Sequence, residues 1–488
     1  MRRWRNSLLI LLMVVSGVGT AMALPLRDEV QNLITTELIE EPTLAVVIED
    51  ANNKAIIYSH NGDVLLIPAS NMKLLTTGAA LDFLGPEYVF QTRLYRDGDR
   101  LTLVGDADPA LGDPVLLREM GLGVEDLLAV WVKAVKQTGL THIAELRIDA
   151  TILDDVYVHP SWPVDELNQT YSAEVAGVNF HLNALTIFTK PARIGQPPDF
   201  TTEPDAPWLH IIPGGVTVKR GANTVWFSRK YMTNEIKIHG KVSKPSQSGA
   251  AVTLHNIPEF TGNLLQDRLQ QAGIKVDRVV LDEIENPLEP GDLLSIIRTP
   301  IATVVKRCNR DSNNLYAESL FKRIGYELTG ESGSWATGAA ALRQSLLDRL
   351  GPSSARIVID DGSGLSRKNR VTARMLADWL VSFADDKNEF PTYFDSLAKA
   401  GKTGTLRERF RGVKLQGKVR AKSGYLQGVS CLSGYVVSPD GERTVVFSIL
   451  ANDIGGKLTV RDVKRFQEKV VAAIDAELAG KPVPAGTD

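Results

Sequence analysis

The 488-residue chain has only two cysteines, Cys308 and Cys431. A disulfide-stapled scaffold is therefore excluded, and a chain of this length can bury adequate cores without one. Cys308 lies four residues before Ser312 and Cys431 eight after Ser423. A bridge in an oxidising compartment and two separate buried thiols both fit, and we expect the thiols. The seven histidines form no His-Glu-x-x-His or comparable cluster, so no metal is expected and a zinc peptidase is disfavoured. No Gly-x-Ser-x-Gly elbow marks an α/β-hydrolase. Excess positive charge is also lacking: the formal net charge is −3, which gives no footing for nucleic-acid binding or an anionic-membrane patch.

The N-terminus carries Arg2, Arg3 and Arg5, then the apolar run Leu8 to Val15, then small residues ending in Ala21-Met22-Ala23. This is the pattern of a secretory signal peptide over residues 1–23. A spanning helix needs about 20 apolar residues, and Ser16, Gly17, Gly19 and Thr20 interrupt this run too early, so the mature chain is expected to have no integral membrane span. No cysteine near the cleavage site offers a lipid anchor. Removing three arginines takes the formal charge to −6, and the product is expected to be exported to the periplasm or cell envelope.

Three short motifs follow in order: Ser70-Asn71-Met72-Lys73, Ser312-Asn313-Asn314 and Lys422-Ser423-Gly424. Each alone is weak. Ser70 to Leu84 has few breakers and closes with Gly85-Pro86, which predicts a helix with Ser70 on its first turn. There, free backbone N–H groups and the helix dipole favour a developing alkoxide or oxyanion, and Lys73 stands on the same face three residues on. Serine is a poor nucleophile without a base, and lysine can be that base only if burial or a nearby cation lowers its pKa. Ser70 would equally serve as a helix cap. Arg310 to Asn314 reads as a loop turning into a helix, with Asp311 or Ser312 as an alternative cap. Ser312 could relay a proton, and the Asn314 amide could hold a substrate amide. Lys422 lies on an edge-like strand before the apolar run Val429 to Val437, where it offers a fixed cation, Ser423 a hydroxyl and Gly424 room for a close backbone. That set suits a terminal carboxylate. Lys402-Thr403-Gly404 competes for this role but precedes a charged stretch and reads as a loop.

With these motifs the chain resembles the serine penicillin-binding proteins. It is similar in particular to their D-alanyl-D-alanine carboxypeptidase and endopeptidase branch, typified by penicillin-binding protein 4. The similarity extends through Pro68-Ala69, Gly105 to Pro109, Leu315 to Glu318, Asp361 to Arg367, Gly404-Thr405-Leu406 and Ala421. The resemblance implies Ser70 as nucleophile, Lys73 as base, Ser312 as relay, Asn314 for substrate positioning, and Lys422 with Ser423 and Gly424 for the carboxylate. It also implies an oxyanion hole from the N–H groups of Ser70 and Tyr425, and an acid of the insertion, Asp165 or Glu166, facing a diamino-acid ammonium. Peptidoglycan stem peptides and β-lactam antibiotics are the implied partners, with no cofactor. The oligomeric state is left unassigned. A β-lactamase and a non-catalytic peptide-binding scaffold are the alternatives.

Ser312 follows Ser70 by 242 residues, more than one acyl-transfer domain needs between neighbouring site segments. Strand-like runs at Val89 to Tyr95, Leu101 to Val104, Glu145 to Ile152, Leu185 to Thr189, Thr224 to Ser228, Glu235 to Val242 and Val252 to Ile257 fill this interval. Thr43 to Glu49 and Lys54 to His60 predict a hairpin. Cys431 to Val437 and Thr444 to Leu450 predict adjacent strands, and Val460, Val463, Phe466, Val470 and Ile474 a closing helix packed on the sheet. The expected fold is α/β: a split transpeptidase/β-lactamase-like domain (24–88 and 292–478) whose antiparallel sheet is flanked by helices. It would carry an inserted domain (89–180 and 275–291), a second β-rich domain nested within it (181–274), and a flexible tail (479–488).

Overall fold

The computed structural model describes residues 25–38, 43–281 and 291–480. The expected signal peptide, residues 481–488 of the expected tail and the junction at 282–290 lie outside the described residues.

Both ends of the chain build one antiparallel sheet. Its strand order is Ala398–Lys399, Lys418–Leu426, Val429–Val437, Thr444–Asn452, Thr43–Asp50, Ala55–His60. Thr43 to Asp50 pairs with Thr444 to Asn452 along its whole length, so the first and last thirds of the sequence close on each other. The three central strands are apolar almost without alternation and buried at all but one end residue each. That pattern belongs to strands covered on both faces. Helices Leu26–Glu37 and Val460–Leu478 cover one face; Val463, Phe466, Val470 and Ile474 are fully buried there, so the closing stripe packs on the sheet as expected. Met72–Leu84, Ile301–Asp311, Asn314–Thr329 and Ala373–Ala384 cover the other. Cys308 and Cys431 are separate buried thiols.

The intervening segment has its own core and a mixed five-stranded sheet, ordered Val279–Leu281, Glu145–Asp149, Arg100–Val104, Val89–Asp97, Asp292–Pro300. Strand Asp292–Pro300, expected with the outer domain, pairs with Val89–Asp97 instead. Smaller sheets carry Ala184–Lys190, Asp199–Glu203 and Ala250–Thr253, and Ile211–Ile212, Ile236–His239 and Trp226–Arg229. Several predicted runs are shortened. Glu145 to Ile152 ends as a strand at Asp149, and Glu235 to Val242 breaks at Gly240, whose φ of 92° is left-handed. Val252 to Ile257 stops at Thr253 because Asn256 caps a helix from Ile257, with Pro258 in its first turn. That helix, Ile257–Gln271, and the amphipathic Val124–Gln137 make the insertion less purely β than its sequence suggests.

Candidate active site

Ser70 sits in a single 3₁₀ turn, Ala69–Asn71, that leads into helix Met72–Leu84. It therefore precedes the α-helix rather than occupying its first α-turn. Ala69 has a left-handed φ of 45°. Two glycines allow the tight approach around it. A Cβ on Gly364 would lie 1.9 Å from the Ala69 carbonyl oxygen, and one on Gly424 would lie 2.8 Å from that of Pro68 and 3.1 Å from the Ser70 nitrogen. Asn71 Nδ2 fastens the turn to the sheet through Ser433 Oγ at 2.7 Å.

Lys73 is completely buried. Its Nζ donates to Asn314 Oδ1 and to the Ser363 carbonyl, both at 2.7 Å, and lies 3.2 Å from Ser70 Oγ. Burial drives its pKa down, against the opposing pull of Cys308, Glu318 and Asp361. The Ser363 carbonyl is aimed by its own peptide neighbours: the buried Glu318 carboxylate accepts from the N–H groups of Gly362 (3.0 Å) and Ser363 (2.7 Å) and from Trp335 Nε1 (2.9 Å).

The second motif departs from its sequence reading. Arg310 and Asp311 are the last turn of helix Ile301–Asp311, not a loop. Ser312 ends that helix with a φ of 61°, a left-handed position that usually falls to glycine or asparagine. Asn313, rather than Asp311 or Ser312, caps the next helix by accepting from Tyr316 N. The kink between the two helices projects Ser312 Oγ to 2.8 Å from Lys422 Nζ. Lys422 is also fully buried and donates to the Ser423 carbonyl at 2.8 Å. Burial, and to a lesser degree the neighbouring Lys73 amine when protonated, holds its pKa well below the usual lysine range.

The remaining candidates surround this pair of lysines. Ser423 Oγ donates to Thr405 Oγ1 at 2.8 Å, which places the Gly404-Thr405-Leu406 turn against the third motif and leaves Lys402 in the loop before it. Tyr425 continues the strand with its side chain exposed. Asn314 Nδ2 donates to the Tyr171 carbonyl at 2.8 Å, a direct tie from the site to the insertion. Asp165 and Glu166 share a 3₁₀ turn, Val164–Glu166, close to Tyr171. Burial first, then the charges of Glu166 and Asp165, push the Tyr171 hydroxyl pKa up. Trp162 Nε1 donates to Asp361 Oδ2 at 3.0 Å and so joins that turn to the loop carrying Ser363.

All three motifs thus meet in one place. Ser363, Glu318 and Tyr171 entered no sequence argument about chemistry. Two of them act through backbone carbonyls, which no residue type advertises, and the buried Glu318 is indistinguishable by pattern from a surface helix acid. Thr405, like Glu318 and Ser363, was legible only as part of a family segment. Among the described residues no group of acids, histidines and cysteines could hold a metal ion.

Fold and site together define a hydrolase of the serine-peptidase class. The family model for the D-Ala-D-Ala carboxypeptidase 3 (S13) family matches residues 26–474, and the chain belongs to that family. It is 32% identical to the D-alanyl-D-alanine carboxypeptidase of Actinomadura sp. (strain R39), over 94% of this chain and 86% of that one. The crystal structure of penicillin binding protein 4 from Haemophilus influenzae superposes with a TM-score of 0.74 at 22% identity, covering 91% of this chain and 99% of that one. A predatory peptidoglycan endopeptidase from Bdellovibrio bacteriovorus gives a TM-score of 0.50 at 15% identity, over 92% and 96% of the two chains.

Proposed function

We propose that the protein removes the terminal D-alanine from peptidoglycan stem peptides and also cleaves D-alanyl crosslinks, in both cases through an acyl-enzyme on Ser70. The observation that carries this reading is the surroundings of Lys73. A neutral amine has two N–H donors and one lone pair. Its two nearest partners, Asn314 Oδ1 and the Ser363 carbonyl, can only accept, so they take both donors and leave the lone pair for the Ser70 hydroxyl. Burial favours that neutral form.

Ser70 Oγ passes its proton to Lys73 as it bonds to the carbonyl carbon of the penultimate D-alanine, and the N–H groups of Ser70 and Tyr425 receive the oxyanion. The C–N bond then breaks. The proton taken up by Lys73 is relayed through Ser312, held by Lys422, to the departing amine, so Ser312 keeps its hydroxyl and Lys73 returns to the neutral amine. Water hydrolyses the ester and restores the Ser70 hydroxyl. The second Nδ2 hydrogen of Asn314 is available for a substrate carbonyl. The Ser423 and Thr405 hydroxyls receive the terminal carboxylate next to Gly424, and the arriving anion favours the charged form of Lys422, which burial alone disfavours. Asp165 or Glu166, on the turn beside Tyr171, meets a diamino-acid ammonium. A β-lactam would acylate the same serine; Haemophilus influenzae penicillin binding protein 4, which shares the fold, has been solved with one bound. The reading places the chain outside the cytoplasm after loss of residues 1–23, with the insertion divided into two nested domains.

D-Alanine release from a stem pentapeptide tests the assignment. Wild type is expected to release one equivalent per peptide and Ser70→Ala none; release by Ser70→Ala at the wild-type rate would remove Ser70 from the mechanism.

A further inference from the structure

Residues 399–422 hold nine lysines and arginines and one acid, Glu408, in a chain whose formal charge is −3. Two cavities, of about 530 and 580 Å³, open along the outer sheet edge formed by this stretch, and both are lined by Asp395, Lys399 and Arg420. Sharing those residues joins them into one trough. Lys306 and Arg310 add to the first cavity, and Lys402, Lys414 and Lys418 to the second. Asp395 is the only acid in either lining, and Arg420 already pairs with it at 2.6 Å. Arg310 is likewise paired, with Asp311 and Glu119. The five lysines, Lys306, Lys399, Lys402, Lys414 and Lys418, are exposed and make no ion pair among the described residues. Unpaired like charges crowded along a concave surface repel one another, and an anionic occupant relieves that repulsion.

We infer that this trough binds a linear polyanion, an envelope polymer with phosphate or carboxylate groups recurring along it. Either cavity is far larger than a single phosphate or carboxylate. Lysines are point charges on flexible stems, suited to a row of mobile anions rather than to one fixed planar group. Phe394, Val413 and Leu415 also line the trough, but each is partly buried and the Arg420 guanidinium lies over the Phe394 ring, so the trough offers no protruding apolar anchor for a membrane and no open aromatic face for stacking bases. The trough and the candidate active site are two sides of one loop: Thr403 lines the trough while Thr405 meets Ser423. An occupant therefore holds the enzyme beside its substrate without entering the site.

The test is titration of the full mature protein with linear inorganic polyphosphate, poly-L-glutamate, oligo(dT) and phosphatidylglycerol vesicles. Saturable binding of polyphosphate or polyglutamate is expected, and the tighter of the two identifies the anion. Five neutralised charges predict a loss of affinity on the order of 100-fold between about 50 and 200 mM salt. Lys399→Glu/Lys414→Glu/Lys418→Glu should weaken binding about tenfold or more, with D-alanine release from the soluble peptide unchanged. The corresponding triple Gln variant, milder to folding, should weaken it in the same direction. Absence of polyanion binding at low salt, binding indifferent to both variants, binding to vesicles alone, or tightest binding to oligo(dT) would each overturn the inference.

Discussion

At the residue scale the decisive feature is a lysine buried without a carboxylate in hydrogen-bond contact. Lys73 makes its three polar contacts with neutral oxygens, so the fold bears the desolvation of an amine and, in the proposed mechanism, gains a base. Lys73→Met should lower the rate of acylation by penicillin by about 10²–10⁴-fold, the usual contribution of a general base, without loss of melting temperature. If the unprotonated amine is the active form, as proposed, wild-type acylation falls as pH falls through the lowered Lys73 pKa, and Lys73→Met lacks that limb. Glu318 is a second case of burial against bonding. Desolvation and the nearby Asp361 push its pKa up to about 7, although three N–H donors face it. With a folded pKa above the unfolded value near 4.5, the native state binds more protons between those values, so this group's contribution to stability is lost as pH rises from 4.5 to about 7. Glu318→Gln turns an N–H donor toward one of those donors; it should cost about 1–3 kcal/mol in denaturant unfolding and slow acylation by releasing the Ser363 carbonyl. Ser70, Lys73, Ser312 and Lys422 were legible because their chemistry resides in side chains. The Ser363 and Tyr171 carbonyls were not, because position alone gives them a role.

At the scale of elements, the site depends on short irregular segments set between regular ones. The Ala69–Asn71 turn, the left-handed Ser312 and the loop at Gly362 to Ser366 each aim one group, while the helices and sheet hold them in register. Sequence periodicity found the regular parts: the hairpin at 43–60, the strands at 429–452 and the closing helix appear within a few residues of expectation. It missed the continuation of helix Ile301–Asp311 through Arg310, since a polar Asn-Arg-Asp end resembles a loop when no glycine marks the stop. It also read Ile257 as strand, because an isoleucine after an apolar run fits either period until Asn256 and Pro258 are weighed as cap signals. Gly364→Ala tests the tightness of the Ser70 turn. Its φ of 80° and the 1.9 Å approach of a Cβ to the Ala69 carbonyl leave no room for a methyl group. The variant should lose about 1–3 kcal/mol by calorimetry and acylate more slowly, whereas alanine at the open Gly98 should do neither to that extent.

At the scale of the molecule, the insertion is welded to the helices that carry the site. Arg307 pairs with the buried Asp113, Arg323 with Asp106, and Lys322 with Asp154. Tyr316 adds a hydroxyl to Asp113 at 2.6 Å. Apolar residues of the insertion such as Phe90, Leu153 and Trp162 belong to the same core as Leu74 and Phe321. None of these long-range pairs is visible in a single sequence, since partners 168 (322 − 154) to 217 residues apart leave no local pattern. Arg307→Met would strand Asp113 as an uncompensated buried charge and should cost about 3–5 kcal/mol, lowering a single cooperative melting transition rather than splitting it in two.

The most direct test of the account is peptide mapping by mass spectrometry of the mature protein after brief exposure to penicillin, for wild type and Ser70→Ala. The account predicts one covalent penicilloyl adduct on the peptide containing Ser70 and no adduct on the variant. An adduct on any other residue, or equal labelling of Ser70→Ala, would contradict it.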